Sequence, residues 1–187
     1  RVRPARHETK RRVAPMRQAA ALGLPLRRVT ISPGASNAEY EAAMHAALLD
    51  YKRQGITRGV FGDLFLEEIR KYRDRMLAEI GMTALYPVWG KDTAQLARDF
   101  IALGFQAALV CVDPKQLDAK FAGRFFDATL LADLPATVDP CGENGEFHTF
   151  VFAGPIFREP VKIQKGEVVT RSGFCFCDLL PAETPPR

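Results

Sequence analysis

The chain lacks any hydrophobic run approaching the 18 residues that a helical membrane span needs, and no signal peptide precedes its first predicted element. A soluble, cytoplasmic protein with no membrane partner is expected. Its cysteines are few. Cys111, Cys141, Cys175 and Cys177 fall short of the density of a disulfide framework and read as reduced thiols. The spacing from Cys141 to His148 and on to Cys175 and Cys177 matches none of the paired patterns of structural zinc, so no zinc site is expected. Internal repeats and low-complexity tracts are also lacking. Acidic residues are nearly absent from the start: residues 1–28 hold nine Arg and Lys against the single Glu8, which makes the net charge of +4 a local property. No aromatic residue is interleaved there and no nucleic-acid module follows, so nucleic acid is not an expected partner.

A chain of 187 residues that is 47% hydrophobic can bury a core, either as one large domain or as two small ones. The pattern predicts a helix from about Thr9 to Leu22, or from Pro15, stopped by Gly23, then a strand from Leu26 to Ser32. A helix capped by Asn37 follows over 38–54. A strand over 56–61 runs into Gly62-Asp63, a charged helix spans 64–80, and strands over 83–89 and 106–112 flank a helix over 93–103. This alternation predicts an α/β fold, a Rossmann-like parallel sheet flanked by helices, over residues 1–112. After Asp113 the rhythm changes. Residues 115–134 read as helical in pieces, and strands are predicted over 148–152, 161–169 and 174–179, with Lys165-Gly166 and Ser172-Gly173 as hairpin turns. Residues 113–187 are expected to form a smaller α+β module.

The densest chemistry lies in Asp139-Pro140-Cys141-Gly142-Glu143-Asn144-Gly145-Glu146-Phe147-His148-Thr149. Asn144-Gly145 is also a plain hairpin signal. Against that reading stands the crowd of ionisable groups at a strand entrance, where loops on a rigid scaffold place chemistry. Asp63 at a strand end suits a metal or a ribose, or else a helix N-cap. Lys91, after Trp89-Gly90, either reaches a ligand or is solvated, and Trp89 is a core residue. Cys141 reads as a small buried hydrophobe rather than a nucleophile. Arg70, Lys71, Arg73 and Arg75 are balanced by Glu67, Glu68, Asp74 and Glu79 as a solvated face; the pattern does not pick out which arginine turns to the strand ends.

The string CGENGEFHT at 141–149 resembles the motif of the diphthine–ammonia ligase family, a branch of the PP-loop ATP pyrophosphatases. Gly62-Asp63-Leu64, Pro87-Val88-Trp89-Gly90-Lys91, Val110-Cys111-Val112-Asp113 and Leu131-Ala132-Asp133-Leu134-Pro135 agree with it in order. The resemblance implies an ATP-dependent, AMP-forming amide ligase. A carboxylate attacks the α-phosphate of ATP, pyrophosphate leaves, and ammonia then displaces AMP. ATP and Mg2+ are the implied cofactors. The implied partner is a carboxylate acceptor, protein-borne in known members as diphthine on translation elongation factor 2, and homo-oligomerisation is compatible with this reading. Nucleotide binding falls to Gly62, Asp63, Gly90 and Lys91, with Asp63 also the metal ligand. Substrate binding falls to Gly142, Asn144, Gly145 and Thr149 in residues 113–187, and catalysis to Glu143, Glu146 and His148. Substituting Glu146 or His148 is expected to abolish turnover with little change in melting temperature. Intact members carry a Ser-Gly-Gly-Lys-Asp-Ser loop that cradles the phosphates. It does not occur in these residues, which open on Arg1; impaired ATP binding and a start inside a longer frame are expected. The same absence suggests the alternative of a non-catalytic relative that binds or self-associates.

Overall fold

A computed structural model describes residues 15–32 and 34–182. The elements in chain order are α1 (15–22), α2 (Asn37–Arg53), β1 (Arg58–Val60), α3 (Glu67–Ala78), β2 (Thr83–Leu85), α4 (Thr93–Ala102), β3 (Gln106–Val112), a 3-10 turn (Ala119–Phe121), α5 (Ala128–Asp133), β4 (Phe147–Ala153), β5 (Ile163–Arg171) and β6 (Phe174–Pro181). Contacts divide the described residues into a compact unit within 27–91 and a second that joins 15–26 with 92–182.

In the 27–91 unit, β1 and β2 pair in parallel from Arg58↔Thr83 to Val60↔Leu85. Leu77, Ile80 and Met82 form its buried core, with Leu48, Leu49, Phe61 and Ala84 packed against them. The cap of α2 is Ser36, one residue before the expected Asn37. Its side chain accepts from the Glu39 amide, and its own amide donates to the Glu39 carboxylate at 2.7 Å, a reciprocal pair that outcompetes a single Asn cap. The strand expected over 26–32 is not formed. Leu26 is exposed, and that stretch finds no ladder partner among the described residues. Of the helix expected from Thr9, 9–14 lie outside the described residues, and the helical stretch ends at Leu22 as expected.

The second unit is built on a four-stranded sheet of order β4-β3-β6-β5, antiparallel throughout. This corrects the expectation of a Rossmann-like parallel sheet containing 106–112. The molecule is mixed α/β, with a small parallel pair and a separate antiparallel sheet. A strand buried on both faces has the same continuous apolar run in either direction, so Gln106–Val112 reads as parallel by its rhythm alone. Its direction is decided by partners that come later in the chain: β4 along one edge, and β6 together with 123–126 along the other. Leu109 N–H donates to Arg124 O at 2.9 Å, and Gly123 N–H to Leu109 O at 2.8 Å. On one face, Ala97 of α4, Phe121 and Leu130 pack with Leu109, Val112, Phe147 and Cys175. On the other, Ala21 of α1 packs with Phe150 and Val161. Ser172-Gly173 is the hairpin turn between β5 and β6, whereas Lys165-Gly166 is not a turn. It lies inside β5, where the register shifts between Lys165 and Val168, and a Cβ at Gly166 would lie 3.1 Å from Asp178 O, a tight fit.

Candidate functional site

The Asp139–Glu146 loop is folded around a carboxylate. Glu146 is buried, with 2% of its surface exposed, and its Oε1 accepts from the Asp139 amide at 2.9 Å and from Asn144 Nδ2 at 3.0 Å. Its Oε2 is buried with no hydrogen-bond partner among the described residues. Burial pushes this carboxyl up, but the Asp139 amide, the Asn144 side chain and the amides of Glu146 and Asn144 outweigh it, so it is held below the usual carboxylate range. Asp139 closes the loop in turn: its Oδ2 accepts from Glu143 N–H and its carbonyl from Gly142 N–H, both at 2.9 Å. Glu146 O then accepts from Asp113 N–H at 2.9 Å, which ties the loop to the end of β3. Asn144-Gly145 is thus a bend inside a carboxylate-centred loop rather than the tip of a two-strand hairpin.

From this anchor the chain enters β4. Phe147 points into the core, and His148 and Thr149 are exposed. Opposite them, Cys111 pairs with both His148 and Phe176. A cleft of about 290 Å³ opens there, lined by His148, Thr149, Cys111, Phe176 and Asp178 among others. The structure therefore places His148 and Thr149 on a cleft, Glu143 half-buried and Asn144 exposed on the loop that leads into it, and Glu146 inside the loop as its organiser. Asp178 and Cys111 were not picked out from sequence as cleft residues. An acid in the apolar run Phe174-Cys175-Phe176-Cys177-Asp178-Leu179 was the available signal, but the pairing of β6 beside β3 was needed to place it.

Cys141 donates to Thr93 O at 3.3 Å. Burial, reinforced by Asp139, Glu143 and Asp92, pushes its thiol up to about 12. The thiolate is the reactive form, so this group is inert at neutral pH. Iodoacetamide applied to the native protein is expected to leave Cys141 unmodified by peptide mass mapping and to label it after unfolding in guanidinium; rapid native labelling would contradict this burial.

In the 27–91 unit, Gly62-Asp63-Leu64 and Trp89-Gly90-Lys91 follow the carboxyl ends of the two parallel strands. They are bridged by Gly90 N–H to Leu64 O at 2.8 Å. Side chains added at Gly62 or Gly90 would meet nothing within 4 Å, so both face open space. Asp63 is not the cap of α3, whose N-cap is Leu66. Its two oxygens face the Arg73 guanidinium, at 3.1 Å from a terminal nitrogen and 2.8 Å from Nε. No group of three metal-ligating side chains occurs among the described residues. Tyr86 stacks on Phe61 at 5.8 Å and meets Trp89 edge-on at 5.9 Å. Its hydroxyl donates to Asp74 at 3.0 Å, and burial together with that acid pushes it up to about 12. Lys91 is exposed.

Residues 92–181 match the family model described as the diphthamide synthase C-terminal domain. The chain is similar to proteins named diphthine–ammonia ligase. The one from Schizosaccharomyces pombe is 29% identical over 110 residues, which is 57% of this chain and 18% of that protein. The one from Danio rerio is 26% identical over 177 residues, 86% of this chain and 69% of the relative, and the one from Bos taurus is 26% identical over 176 residues, 86% and 66%. The match thus spans under a fifth of the first of these and about two thirds of the other two. The resemblance to the diphthine–ammonia ligases expected from the sequence is shown by these matches.

Proposed function

We propose, from the premise that this chain is related to the diphthine–ammonia ligases, that it takes part in ATP-dependent amide formation, with the cleft beside His148 receiving the acceptor carboxylate and ammonia. The observation that carries this reading is the Glu146-centred loop, which leads directly into His148 and Thr149 on that cleft within the segment matching the family model. ATP would activate the carboxylate: a carboxylate oxygen bonds to the α-phosphorus as pyrophosphate leaves. Nitrogen then bonds to the carbonyl carbon, AMP departs, and a proton has to be removed from the nitrogen.

The residues divide this work by position. Glu146, buried with its Oε1 accepting from the Asp139 amide and Asn144, fixes the backbone on which Gly142, Asn144 and Gly145 face the acceptor. Glu143 holds the ammonium ion near the cleft, His148 takes the proton, and Thr149 hydrogen-bonds the acceptor. Gly62 and Gly90, open at the strand ends, fit a nucleotide approaching the backbone, with Lys91 beside them. A Mg2+ site does not fit as well, because the Arg73 guanidinium lies 3.1 and 2.8 Å from the two oxygens of Asp63 and its positive charge opposes a cation beside them; we route no step through the metal. These 187 residues contain no Ser-Gly-Gly-Lys-Asp-Ser loop, so the chain as given should bind Mg-ATP only weakly.

The test uses the longest natural reading frame that contains these residues, assayed for AMP release from Mg-ATP with ammonium and a carboxylate acceptor. His148→Ala and Glu143→Gln are each expected to lower kcat by roughly a hundredfold or more with the melting temperature retained. Normal turnover in both variants would overturn the site. Micromolar Mg-ATP binding by the 187-residue chain would overturn the impairment.

A further inference from the structure

Each arginine of α3 lies over a ring, Arg75 over Tyr72 at 5.8 Å, but Arg70 lies over two. Arg73 is neutralised by Asp63 and covers Phe61 at 4.5 Å. Lys71 is paired with Glu68 at 2.9 Å. Arg70, by contrast, lies over Trp89 at 4.6 Å and over Tyr86 at 5.1 Å, two rings that are themselves in edge contact. Its one charge contact among the described residues is a long one, 3.8 Å from Nε to Asp74, whose other oxygen accepts from Tyr86. The terminal nitrogens of the guanidinium meet no acceptor among the described residues.

A flat, permanently charged fork laid on aromatic faces has already lost most of the rotamer freedom that anion binding would otherwise cost. Two things point to a ligand rather than to a solvated surface charge. The platform includes Trp89, the residue immediately before Gly90, where added bulk would meet open space, and Lys91. At the end of the neighbouring strand β1 the Arg73 cation is matched by Asp63 at 2.8 Å, whereas beside β2 the Arg70 charge is offset among the described residues by the 3.8 Å contact to Asp74.

We propose that Arg70 is an anion-binding residue, held in place by Trp89 and Tyr86, that receives a phosphoryl or carboxylate group at the carboxyl end of β2. The proposal deepens the ligase reading by assigning the charged part of its ligand to Arg70 rather than to Asp63, and it rests on that reading for the identity of the ligand. Asp74 sets the orientation: it holds the Nε edge and leaves the paired terminal nitrogens facing outward, the edge that grips two oxygens at once.

Titration calorimetry on the longest natural reading frame tests this, with AMP, adenosine, pyrophosphate and butyrate as probes. The native protein is expected to bind AMP about tenfold or more tightly than adenosine. Arg70→Gln is expected to reduce that ratio to about one while adenosine affinity and melting temperature are retained. Arg70→Lys should restore only part of it, since an ammonium ion lacks the fork. Trp89→Leu, which removes the platform and keeps the charge, should weaken AMP by an intermediate factor. Lys71→Gln serves as the charge-matched control and should change nothing. If butyrate rather than AMP or pyrophosphate shows the Arg70 dependence, the site stands and its anion is the carboxylate. An AMP-to-adenosine ratio that survives Arg70→Gln overturns the site and leaves the ligase reading to the His148 and Glu143 variants. Binding of none of the four probes by the native protein also overturns it.

Discussion

Glu146→Ala is expected to cost about 3 kcal/mol or more, because it removes the acceptor that satisfies the Asp139 amide and the Asn144 side chain and leaves a cavity where the carboxylate was. At roughly 2–4 °C per kcal/mol for a chain of this size, the melting temperature should fall by about 6–12 °C. Glu146→Gln keeps an acceptor oxygen but places an amide nitrogen where buried Oε2 has no partner, so a loss of about 1–3 kcal/mol is expected. A turnover assay on such variants is therefore read together with their melting temperatures. Acid gives an independent check. The folded carboxyl sits below its ordinary value of 4.5, so its contribution to stability is complete above that value and is lost as pH falls through the lower folded value. Native protein should therefore lose stability on acidification below about 4.5, and the alanine variant should lose less over the same window. If the two lose stability in parallel, Glu146 is not the buried anion described here.

The burial of Glu146 also marks where the sequence stopped being informative. Strand β3 is legible to the residue, since Gln106 leads into the unbroken apolar run Ala107–Val112 that ends at Asp113, and β4 and α4 are legible to within a residue at either end. What such runs do not carry is direction: the antiparallel partners of β3 arrive some 35 and 65 residues later, and only their pairing distinguishes this sheet from a parallel one. Lys165-Gly166 has the composition of a turn, yet it sits inside β5 at a register shift, paired against β6. Within the site, the crowding of Glu143, Asn144, Glu146 and His148 is visible in the string. Their spacing does not say that Glu146 turns inward to cap amides while His148 turns out to a cleft. That depends on Phe147 entering the core and on Glu146 O binding the Asp113 amide. Likewise, Asp63 and Arg73 are ten residues apart on a loop and a helix; only the geometry shows that they neutralise each other and leave Arg70 as the cation on the aromatic platform.

Gly142→Ala should be the most damaging single-methyl change in the loop. Gly142 has φ +71°, a left-handed conformation that costs an alanine about 1–2 kcal/mol. Its added Cβ would also lie 2.8 Å from the Phe147 carbonyl oxygen and 3.1 Å from the Phe147 ring. Neither can withdraw cheaply: the carbonyl belongs to the first residue of β4, and the ring is 2% exposed in the main core. Steric and conformational terms together predict a loss of about 3 kcal/mol, with the distortion passed directly to His148 and hence to turnover. Gly145→Ala is the internal control. Its φ of +84° carries the same conformational cost, but the added methyl would meet nothing within 4 Å, so a loss of only about 1 kcal/mol is expected. Melting temperatures and kcat for the pair separate the two contributions. Equal destabilisation would mean that the Phe147 contact is not what confines Gly142. A Gly142→Ala protein that melts normally and turns over normally would mean that the loop does not position His148 at all.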